Sequence, residues 1–452
     1  MKTLIKTLFF LYISGSLYAQ TYQPTWESLD QRIIPEWWTD AKFGIFIHWG
    51  IYSVPAYAPT DVENVYAKYS EHYASRLISG DKNFVEHHES YYGKNFSYSD
   101  FAPMFKAEYF KPDDWAELFK RSGARYVVLT SKHHDGFCLW PSQYSPRWNS
   151  MAIGAHRDLA GELTQAVKKK GLHMGFYYSF LEWQHPLYSG NTIEQWVDQY
   201  MIPQMKELVT KYQPEVIFSD GEWDYHSETL KSEEFLAWLY NESPVKSTVV
   251  VNDRWGKETR SKHGDYFTTE YNLVHNTVGI GEAATHPWEE DRGIGGSFGY
   301  NRFETLDHYF TSKQLIHLLI EKVSNGGNLL LNIGPEANGL IPVIMQERLL
   351  DMGKWLDVNG EAIYETKAWR ENTSKIDNVY YTQKGSNLFI ICTSWPDKTI
   401  SLNGIPKGKK ISLLGTDKKI NYKFTDKQLV IDVSNIFPND LPCEHAWVFK
   451  IE

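Results

Sequence analysis

Two carboxylates follow a short apolar run in the stretch VIFSDGEW, residues 216–223. Asp220 and Glu222 stand where a buried strand would end, and Gly221 separates them. Two carboxylates at the end of a strand are groups that could act as a nucleophile or as an acid or base. Asp-Gly is also a common turn, so the stretch alone is equally consistent with an ordinary loop.

Polar, chemically capable side chains follow further apolar runs of the same kind: His48, His133, His134, Tyr177 and Arg254. The carboxyl ends of the strands in a parallel barrel surround one mouth, so we expect these side chains to meet Asp220 in one pocket. The histidines also raise the alternative of a metal-dependent hydrolase. Adjacent histidines on a strand point to opposite faces, and the spacing of a metal-binding pair is missing, so we predict neither a metal site nor a cofactor.

Apolar runs rich in β-branched and aromatic residues predict the strands that position these side chains. They occupy residues 43–50, 126–136, 173–179, 216–223, 248–255 and 328–335. Helix-like segments lie between them, with acidic residues at their starts and basic residues at their ends, as in residues 113–123. This alternation predicts an α/β fold with a parallel sheet, and the length favours a (β/α)8-like, TIM-type barrel.

Both ends of the chain differ from the barrel pattern. Residues 1–19 combine Lys2 and Lys6 with an apolar stretch and small residues, which is typical of a secretory signal peptide. We therefore expect an exported protein, periplasmic or secreted, or lysosomal in a eukaryote. Residues 20–368 form the predicted catalytic barrel. Short alternating strands in residues 369–452 predict a small C-terminal antiparallel β-sandwich.

Composition limits the kinds of partner. The net charge of −10 and a pI near 5.9 argue against nucleic acid, because phosphate binding needs a basic surface. No further segment is long and apolar enough to predict a membrane span. Aromatic residues make up 15% of the chain, and 17 of them are Trp, which suits stacking on sugar rings or a large core equally well. No oligomeric state is predicted.

Several ordered blocks resemble the retaining α-L-fucosidases, glycoside hydrolase family 29. They include WWTDAKFGIFIHWGIYSVPAY, SKHHDGFCLWPS, EVIFSDGEW, VVVNDRWG and NLLLNIGPEANGLI, and the resemblance spans residues 37–369. It implies an exo-acting hydrolase that removes terminal α-L-fucose from oligosaccharides or glycoconjugates with retention, through a fucosyl-aspartate intermediate. The alternatives are a non-catalytic fucose-binding protein and a hydrolase of a related sugar such as an α-L-galactoside.

The resemblance also implies roles for the carboxylates. It identifies Asp220 as the nucleophile, with Glu222 as the rival within the same motif. The acid/base is expected beyond the fifth strand, on a loop, where Glu289 matches best by its position after Trp288. The alternatives for that role are Glu290, Glu270 and Glu282.

The same resemblance implies the residues that bind the sugar. It carries over His48, His133, His134, Tyr177 and Arg254 as fucose-binding residues. Weaker candidates for the apolar wall that receives the C6 methyl group are Trp49, Trp223, Trp288 and Phe298. Relatives commonly have a Glu-Trp pair in the loop after SVPAY, where this chain aligns Lys68 and Tyr69, with Glu63 and Glu71 nearby but off register. Either this loop is shifted or the contact is missing.

Overall fold

The structure is a computed structural model that describes residues 21–271, 285–369, 376–408, 410–425 and 428–452. Its larger part contains eight parallel strands: β1 (Phe43–Ile47), β2 (Tyr126–Lys132), β3 (His173–Ser179), β4 (Val216–Asp220), β5 (Val250–Val251), β6 (Phe267–Glu270), β7 (Trp288–Gly293) and β8 (Asn328–Ile333). They pair in the order β5-β4-β3-β2-β1-β8-β7-β6, so the curled sheet has β5 and β6 at its edges. The predicted (β/α)8-like fold is confirmed.

Helices alternate with these strands or cover their ends: α1 (Trp26–Leu29), α2 (Glu36–Ala41), α3 (Tyr73–Ser79), α4 (Lys82–Tyr91), α5 (Pro112–Arg121), α6 (Leu159–Lys169), α7 (Ile193–Trp196), α8 (Ile202–Tyr212), α9 (Ser227–Leu230), α10 (Ser232–Asn241), α11 (Ser312–Ser324) and α12 (Val343–Asn359). Their ends follow from the sequence. Pro112 begins α5 with a fixed φ, and two acidic residues follow it, where the helix dipole favours negative charge. The Asp158 side chain caps α6 by accepting from the Gly161 amide at 2.9 Å.

Strands β6 and β7 were not predicted, because their sequences lack the apolar run that marks the others. Their sequences are FTTE and WEEDRG, and most of these polar residues are buried. Strand β7 pairs in parallel with β6 on one side and with β8 on the other. Its residue Glu289 lies opposite Thr268 of β6 and Asn328 of β8. The segment expected to be a loop that carries the acid/base is therefore a strand of the barrel.

The C-terminal part consists of antiparallel strands: β9 (Lys367–Ala368), β10 (Val379–Lys384), β11 (Asn387–Cys392), β12 (Thr399–Asn403), β13 (Ile411–Leu413), β14 (Asn421–Phe424), β15 (Gln428–Asp432) and β16 (Trp447–Ile451). They form a five-stranded sheet, β13-β16-β11-β10-β9, and a three-stranded sheet, β12-β15-β14. Ile390 of the first sheet shares a buried core with Leu402 and Ile431 of the second. The predicted sandwich is confirmed.

Two predictions concern the chain's relation to membranes and export. Among the described residues, no helix has the length and apolar character needed to cross a membrane. The predicted signal peptide, residues 1–19, lies outside the described residues.

Candidate active site

A cavity of about 680 Å³ opens at the carboxyl ends of the barrel strands. Most of the residues predicted for the site border it: His48, His133, His134, Tyr177, Asp220, Trp223, Arg254 and Phe298. They come from six strands and the segments that follow them, over more than 200 positions of the sequence. A parallel barrel gathers them because all of its strands end at the same mouth.

Asp220 is the last residue of β4 and is held at both carboxylate oxygens. Arg254 Nη1 donates to Oδ1 at 2.9 Å, and the hydroxyl of Tyr177 donates to Oδ2 at 2.8 Å. Arg254 is itself fixed, because its Nε donates to Thr268 Oγ1 at 3.0 Å. Gly221 follows with φ +81°, and a Cβ there would lie 2.8 Å from the backbone nitrogen of Leu181. The glycine lets the chain turn away directly beneath the carboxylate.

The charge of Asp220 is set by its neighbours. Burial alone would raise the pKa of Asp220, but the charges of Arg254 and Arg260 outweigh burial and hold that pKa well below its usual range. The side chain remains accessible from the cavity, with 8% of the residue exposed. Asp220 is thus an ionised carboxylate that is held in one orientation at the bottom of a pocket. A nucleophile requires both its charge and its fixed orientation.

Hydrogen bonds fix the tautomers of two cavity histidines. His48 Nδ1 lies 2.7 Å from Asn332 Oδ1, while Asn332 Nδ2 donates to the carbonyl of Phe298. His134 Nδ1 lies 2.5 Å from Ser179 Oγ, whose own proton goes to the carbonyl of Leu181. In both cases the imidazole must donate from Nδ1, which leaves Nε2 as an acceptor.

Burial keeps these imidazoles neutral. It lowers the pKa of His48 to about 3 and that of His134 to about 4, and it lowers the pKa of His133 well below the usual value. Neutral rings with a free Nε2 accept hydrogen bonds from hydroxyl groups. The histidines therefore suit an uncharged polyol such as a sugar.

His133 and His134 were expected to point to opposite faces, and that prediction is wrong. Both border the cavity, and their ring centroids lie 4.3 Å apart. The reason is that β2 ends at Lys132, with an irregularity in its register between Thr130 and Lys132. The alternation of a strand does not extend to residues beyond its end.

Glu289 does not border the cavity formed by the described residues. Its side chain is fully buried inside the barrel, below the mouth, and the hydroxyl of Tyr126 at the start of β2 donates to it. Burial raises the pKa of Glu289 to about 8, although the Tyr126 hydrogen bond lowers it. Its neighbour Glu290 is buried too and does not border the cavity. Glu282 lies outside the described residues.

Two of the tryptophans predicted for the sugar wall lie elsewhere. Trp49 packs against Phe105 and Trp115 behind the mouth, and its indole donates to the carbonyl of Glu336. Trp288 is buried with Phe267 near the start of β7. Trp223 does border the cavity, with 45% of the residue exposed at the mouth.

The inner wall of the cavity has an apolar patch, made of Phe46, Phe218 and Phe298. The ring centroids of Phe46 and Phe218 lie 5.1 Å apart, and those of Phe46 and Phe298 lie 6.3 Å apart. Phe298 also stacks on His48, with 4.8 Å between centroids. An apolar patch next to hydroxyl-binding histidines suits a ligand that is polar on one side and bears a methyl group on another.

Glu270, at the end of β6, borders the cavity and shares Arg254 with Asp220. Its Oε2 lies 3.8 Å from Arg254 Nη2, and its Oε1 accepts from the hydroxyl of Tyr69 at 2.5 Å. Two carboxylates thus flank one guanidinium inside the pocket. Asp291 of β7 also contacts Arg254 Nη2, at 2.8 Å, and burial raises its pKa well above the usual value.

The loop that includes Tyr69, Glu71 and His72 reaches the cavity. Glu71 accepts from the Gly299 amide at 2.8 Å. Burial raises the pKa of Glu71 to about 7. Because Glu71 brings a carboxylate to the cavity, the position of this residue favours the alternative of a shifted loop, and its contact with the sugar stays a prediction. The SEHY sequence, two residues after Lys68, was the available signal.

The rival carboxylate Glu222 has a different environment from Asp220. Arg260 Nε donates to its Oε1 at 2.5 Å, and its other oxygen has no hydrogen-bond partner among the described residues. Burial raises the pKa of Glu222, although Arg260 lowers it. A raised pKa makes Glu222 ionise less readily than Asp220, so Asp220 is the better candidate for the nucleophile.

Comparison with known families covers nearly the whole chain. A sequence model described as Alpha-L-fucosidase matches residues 11–361. A second one, described as Alpha-L-fucosidase C-terminal domain, matches residues 371–452. The two matches correspond to the barrel and to the sandwich.

Individual relatives cover the chain to a similar extent. It is 41% identical to an alpha-L-fucosidase of Branchiostoma floridae, over 98% of this chain and 99% of that protein. It is 42% identical to the tissue alpha-L-fucosidase of Homo sapiens, over 95% of this chain and 91% of that one. The crystal structure of the Thermotoga maritima alpha-fucosidase in complex with fucose superposes with a TM-score of 0.81 and 36% identity, over 95% of this chain and all of that one.

Proposed function

The chain belongs to the α-L-fucosidase family of glycoside hydrolases, and we propose that it is an exo-acting α-L-fucosidase. It would release terminal α-L-fucose from oligosaccharides or glycoconjugates with retention of configuration. The observation that carries this proposal is Asp220, an ionised carboxylate held at both oxygens at the bottom of the cavity. A pocket that ends at the nucleophile accepts the end of a glycan chain.

Asp220 is proposed as the nucleophile. A carboxylate oxygen attacks the anomeric carbon, the bond to the leaving oxygen breaks, and a fucosyl-aspartate ester forms. Arg254 and Tyr177 hold the carboxylate in one orientation, so little conformational freedom is lost on the way to the transition state. Their hydrogen bonds also favour the ionised form that attacks.

Glu270 is proposed as the acid/base in place of Glu289. It borders the same cavity as Asp220, whereas Glu289 is enclosed inside the barrel. Glu270 would give a proton to the leaving oxygen and later take one from the water that hydrolyses the ester. Glu71 is the second candidate, because its pKa of about 7 suits a proton donor at neutral pH.

Recognition of the sugar is divided between the histidines and the phenylalanines. The Nε2 atoms of His48 and His134 are proposed to accept from fucose hydroxyls, and the ring of His133 lies beside them. The C6 methyl group is proposed to lie against Phe46, Phe218 and Phe298. An α-L-galactoside bears a hydroxyl at C6, which this apolar wall would leave without a hydrogen-bond partner.

Proton NMR of aryl α-L-fucoside hydrolysis tests the proposed activity. Retention predicts that α-L-fucose appears first and that the β-anomer follows only by mutarotation. The matched aryl α-L-galactoside should give kcat/KM values at least about tenfold lower. Fucose binding without hydrolysis of any fucoside would instead support the non-catalytic alternative, and faster galactoside hydrolysis would support the related-sugar alternative.

Two further proposals concern the ends of the chain. We place the boundary between the barrel and the sandwich near residue 369, which is supported by the separate core of the C-terminal strands. Residues 1–19 are proposed to direct export to a periplasm, the medium or a lysosome. N-terminal sequencing of the mature protein would find Gln20 first if cleavage follows Ala19.

A further inference from the structure

Three histidines meet on one side of the cavity: His72, His133 and His134. One ring nitrogen of each lies within 4.8 Å of a ring nitrogen of the other two. His72 comes from the loop before α3, and the other two follow β2. The cluster therefore joins two segments about 60 residues apart in the sequence.

We propose that these three histidines form a binding site for a divalent transition-metal ion such as Zn²⁺, and that the ion competes with the sugar. Neutral imidazole nitrogens are preferred ligands of Zn²⁺, Cu²⁺ and Ni²⁺. The site is distinct from a catalytic metal centre, since the bound ion would inhibit. Competition rests on the proposed function, whereas binding of the ion does not.

The hydrogen bonds of His134 prepare it as a ligand. Ser179 takes the Nδ1 proton, so Nε2 has a free lone pair. That nitrogen lies 3.6 Å from Asp220 Oδ2, so two acceptors face each other in a buried place. A cation between them would satisfy both. A second hydrogen-bonded ring nitrogen is also the usual arrangement for a metal-ligating histidine.

His133 supplies a second independent observation. Its Nδ1 is buried and has no hydrogen-bond partner among the described residues. A buried polar atom without a partner is unfavourable, and a bound ligand would remove that cost. The residue is 4% exposed and borders the cavity, so an ion entering through the mouth reaches it.

A small movement of the rings would bring the three histidine nitrogens to the separations found in a zinc site. Zn–N bonds of about 2.0–2.1 Å in a tetrahedral site place neighbouring ligand atoms ~3.4 Å apart. The 3.6 Å between His134 Nε2 and Asp220 Oδ2 is already close to that value. Closing the other nitrogen separations from up to 4.8 Å requires ring movements of roughly 1 Å. The three ring nitrogens would then surround the ion, with the Asp220 carboxylate on the side of His134.

Occupancy of this site would block catalysis directly. The ion would engage His134, which is proposed to accept from a fucose hydroxyl and which lies 3.6 Å from the carboxylate of Asp220. Sugar and ion therefore exclude each other. Zn²⁺ should raise KM for an aryl fucoside without changing kcat, and EDTA should reverse the effect.

The direct test is equilibrium dialysis of the full-length mature protein against Zn²⁺, with metal analysis. The wild type should bind about one ion per chain, and His72→Phe should weaken binding at least tenfold while its ring still packs near Trp183. The control His156→Asn alters an exposed histidine with φ +54°, a conformation that Asn tolerates, and should bind as the wild type does.

The outcomes that would refute the metal site differ from those that would refute the proposed function. Absence of saturable binding, or equal binding by wild type and His72→Phe, would overturn the proposed site. Should His72→Phe not fold, anomalous diffraction at the zinc edge from wild-type crystals decides whether the ion lies among the three rings. A protein that binds Zn²⁺ there but hydrolyses no fucoside would keep the site and refute the proposed function.

Discussion

Arg254 Nη1 lies 2.9 Å from Asp220 Oδ1, in an ion pair almost closed to solvent. The same guanidinium reaches Glu270 with Nη2 at 3.8 Å. One arginine thus connects the proposed nucleophile with the proposed acid/base. Its charge keeps Asp220 ionised and its hydrogen bond orients that carboxylate, whereas the hydroxyl of Tyr69 holds Glu270.

Replacing Arg254 with Lys should move the pH dependence of catalysis. Burial would raise the pKa of Asp220, and Arg254 is the first of the groups that lower it. A loosely held ammonium replaces the guanidinium poorly, so the pKa of Asp220 rises and the ionised form requires a higher pH. The acidic limb of kcat/KM should shift upward by about one pH unit or more.

Arg348→Lys is the matched control for this shift, because Arg348 lies on α12 and binds the carbonyl of Phe310. Its pH profile should coincide with that of the wild type. An unchanged acidic limb in Arg254→Lys would show that Arg254 does not control the ionisation of Asp220.

The loss of kcat/KM in Glu270→Gln should depend on the leaving group of the substrate. Without its proton donor, the enzyme should lose about 10²–10⁴-fold in kcat/KM on a natural glycan. The loss should be much smaller on a dinitrophenyl fucoside, whose leaving group needs no proton. Azide should restore turnover and give α-L-fucosyl azide, because it attacks the intermediate from the side that water normally takes.

Glu71→Gln provides the comparison for that experiment. With Glu270 as the acid/base, Glu71→Gln should show no dependence on leaving group and no azide product. Should Glu71→Gln alone show both, the acid/base is Glu71, and the alkaline limb of the wild type should lie near its pKa of about 7.

Glu289→Gln should affect stability rather than chemistry. The pKa of Glu289 is raised to about 8 in the folded protein, against about 4.3 in an unfolded chain. Its contribution to stability is therefore fully present below the unfolded value and is lost as the pH rises towards 8. Gln remains uncharged and still accepts from Tyr126, so the variant should lose less stability over this range.

Calorimetry at pH 5 and pH 8 measures that difference. The Tm of the wild type should fall between the two pH values by at least about 2 °C more than that of Glu289→Gln. At pH 5 the kcat of the variant should stay within about threefold of the wild type. A loss of several orders of magnitude with an azide-rescued product would return the acid/base role to Glu289.

Phe298→Ser should narrow the preference for fucose over L-galactose. The phenylalanine forms part of the apolar wall proposed for the C6 methyl group, and one methyl contact is worth about 10–200-fold in selectivity. The ratio of kcat/KM for aryl α-L-fucoside over aryl α-L-galactoside should fall at least fivefold. Phe298→Leu, which keeps the wall apolar, should retain most of the ratio; equal ratios in all three proteins would place the methyl group elsewhere.

The polar residues at strand ends were predictable from the sequence. Asp220, Tyr177 and Arg254 each follow an apolar run, and the barrel brings such positions together whatever their separation. Strand β7 was not predictable in this way, because its buried Glu289 accepts a hydrogen bond from Tyr126, a partner 163 positions away. Periodicity does not encode a tertiary partner of that kind.

The remaining differences between the predicted site and the structure concern the directions in which side chains point. Trp49 follows His48 directly, yet it turns away from the cavity into the aromatic cluster around Trp115. His133 and His134 both turn towards it, because the strand has already ended. The contribution of Glu71 depends on a loop whose path follows from contacts with Ser297 and Gly299. None of these directions follows from local sequence alone.

The most direct test of the central claim is azide rescue of Asp220→Gly on an aryl α-L-fucoside. The variant should lose at least about 10³-fold in kcat. Azide would fill the space left by the carboxylate, restore turnover and yield β-L-fucosyl azide. Full activity without azide, or rescue that yields the α-anomer, would contradict the role of Asp220 as the nucleophile.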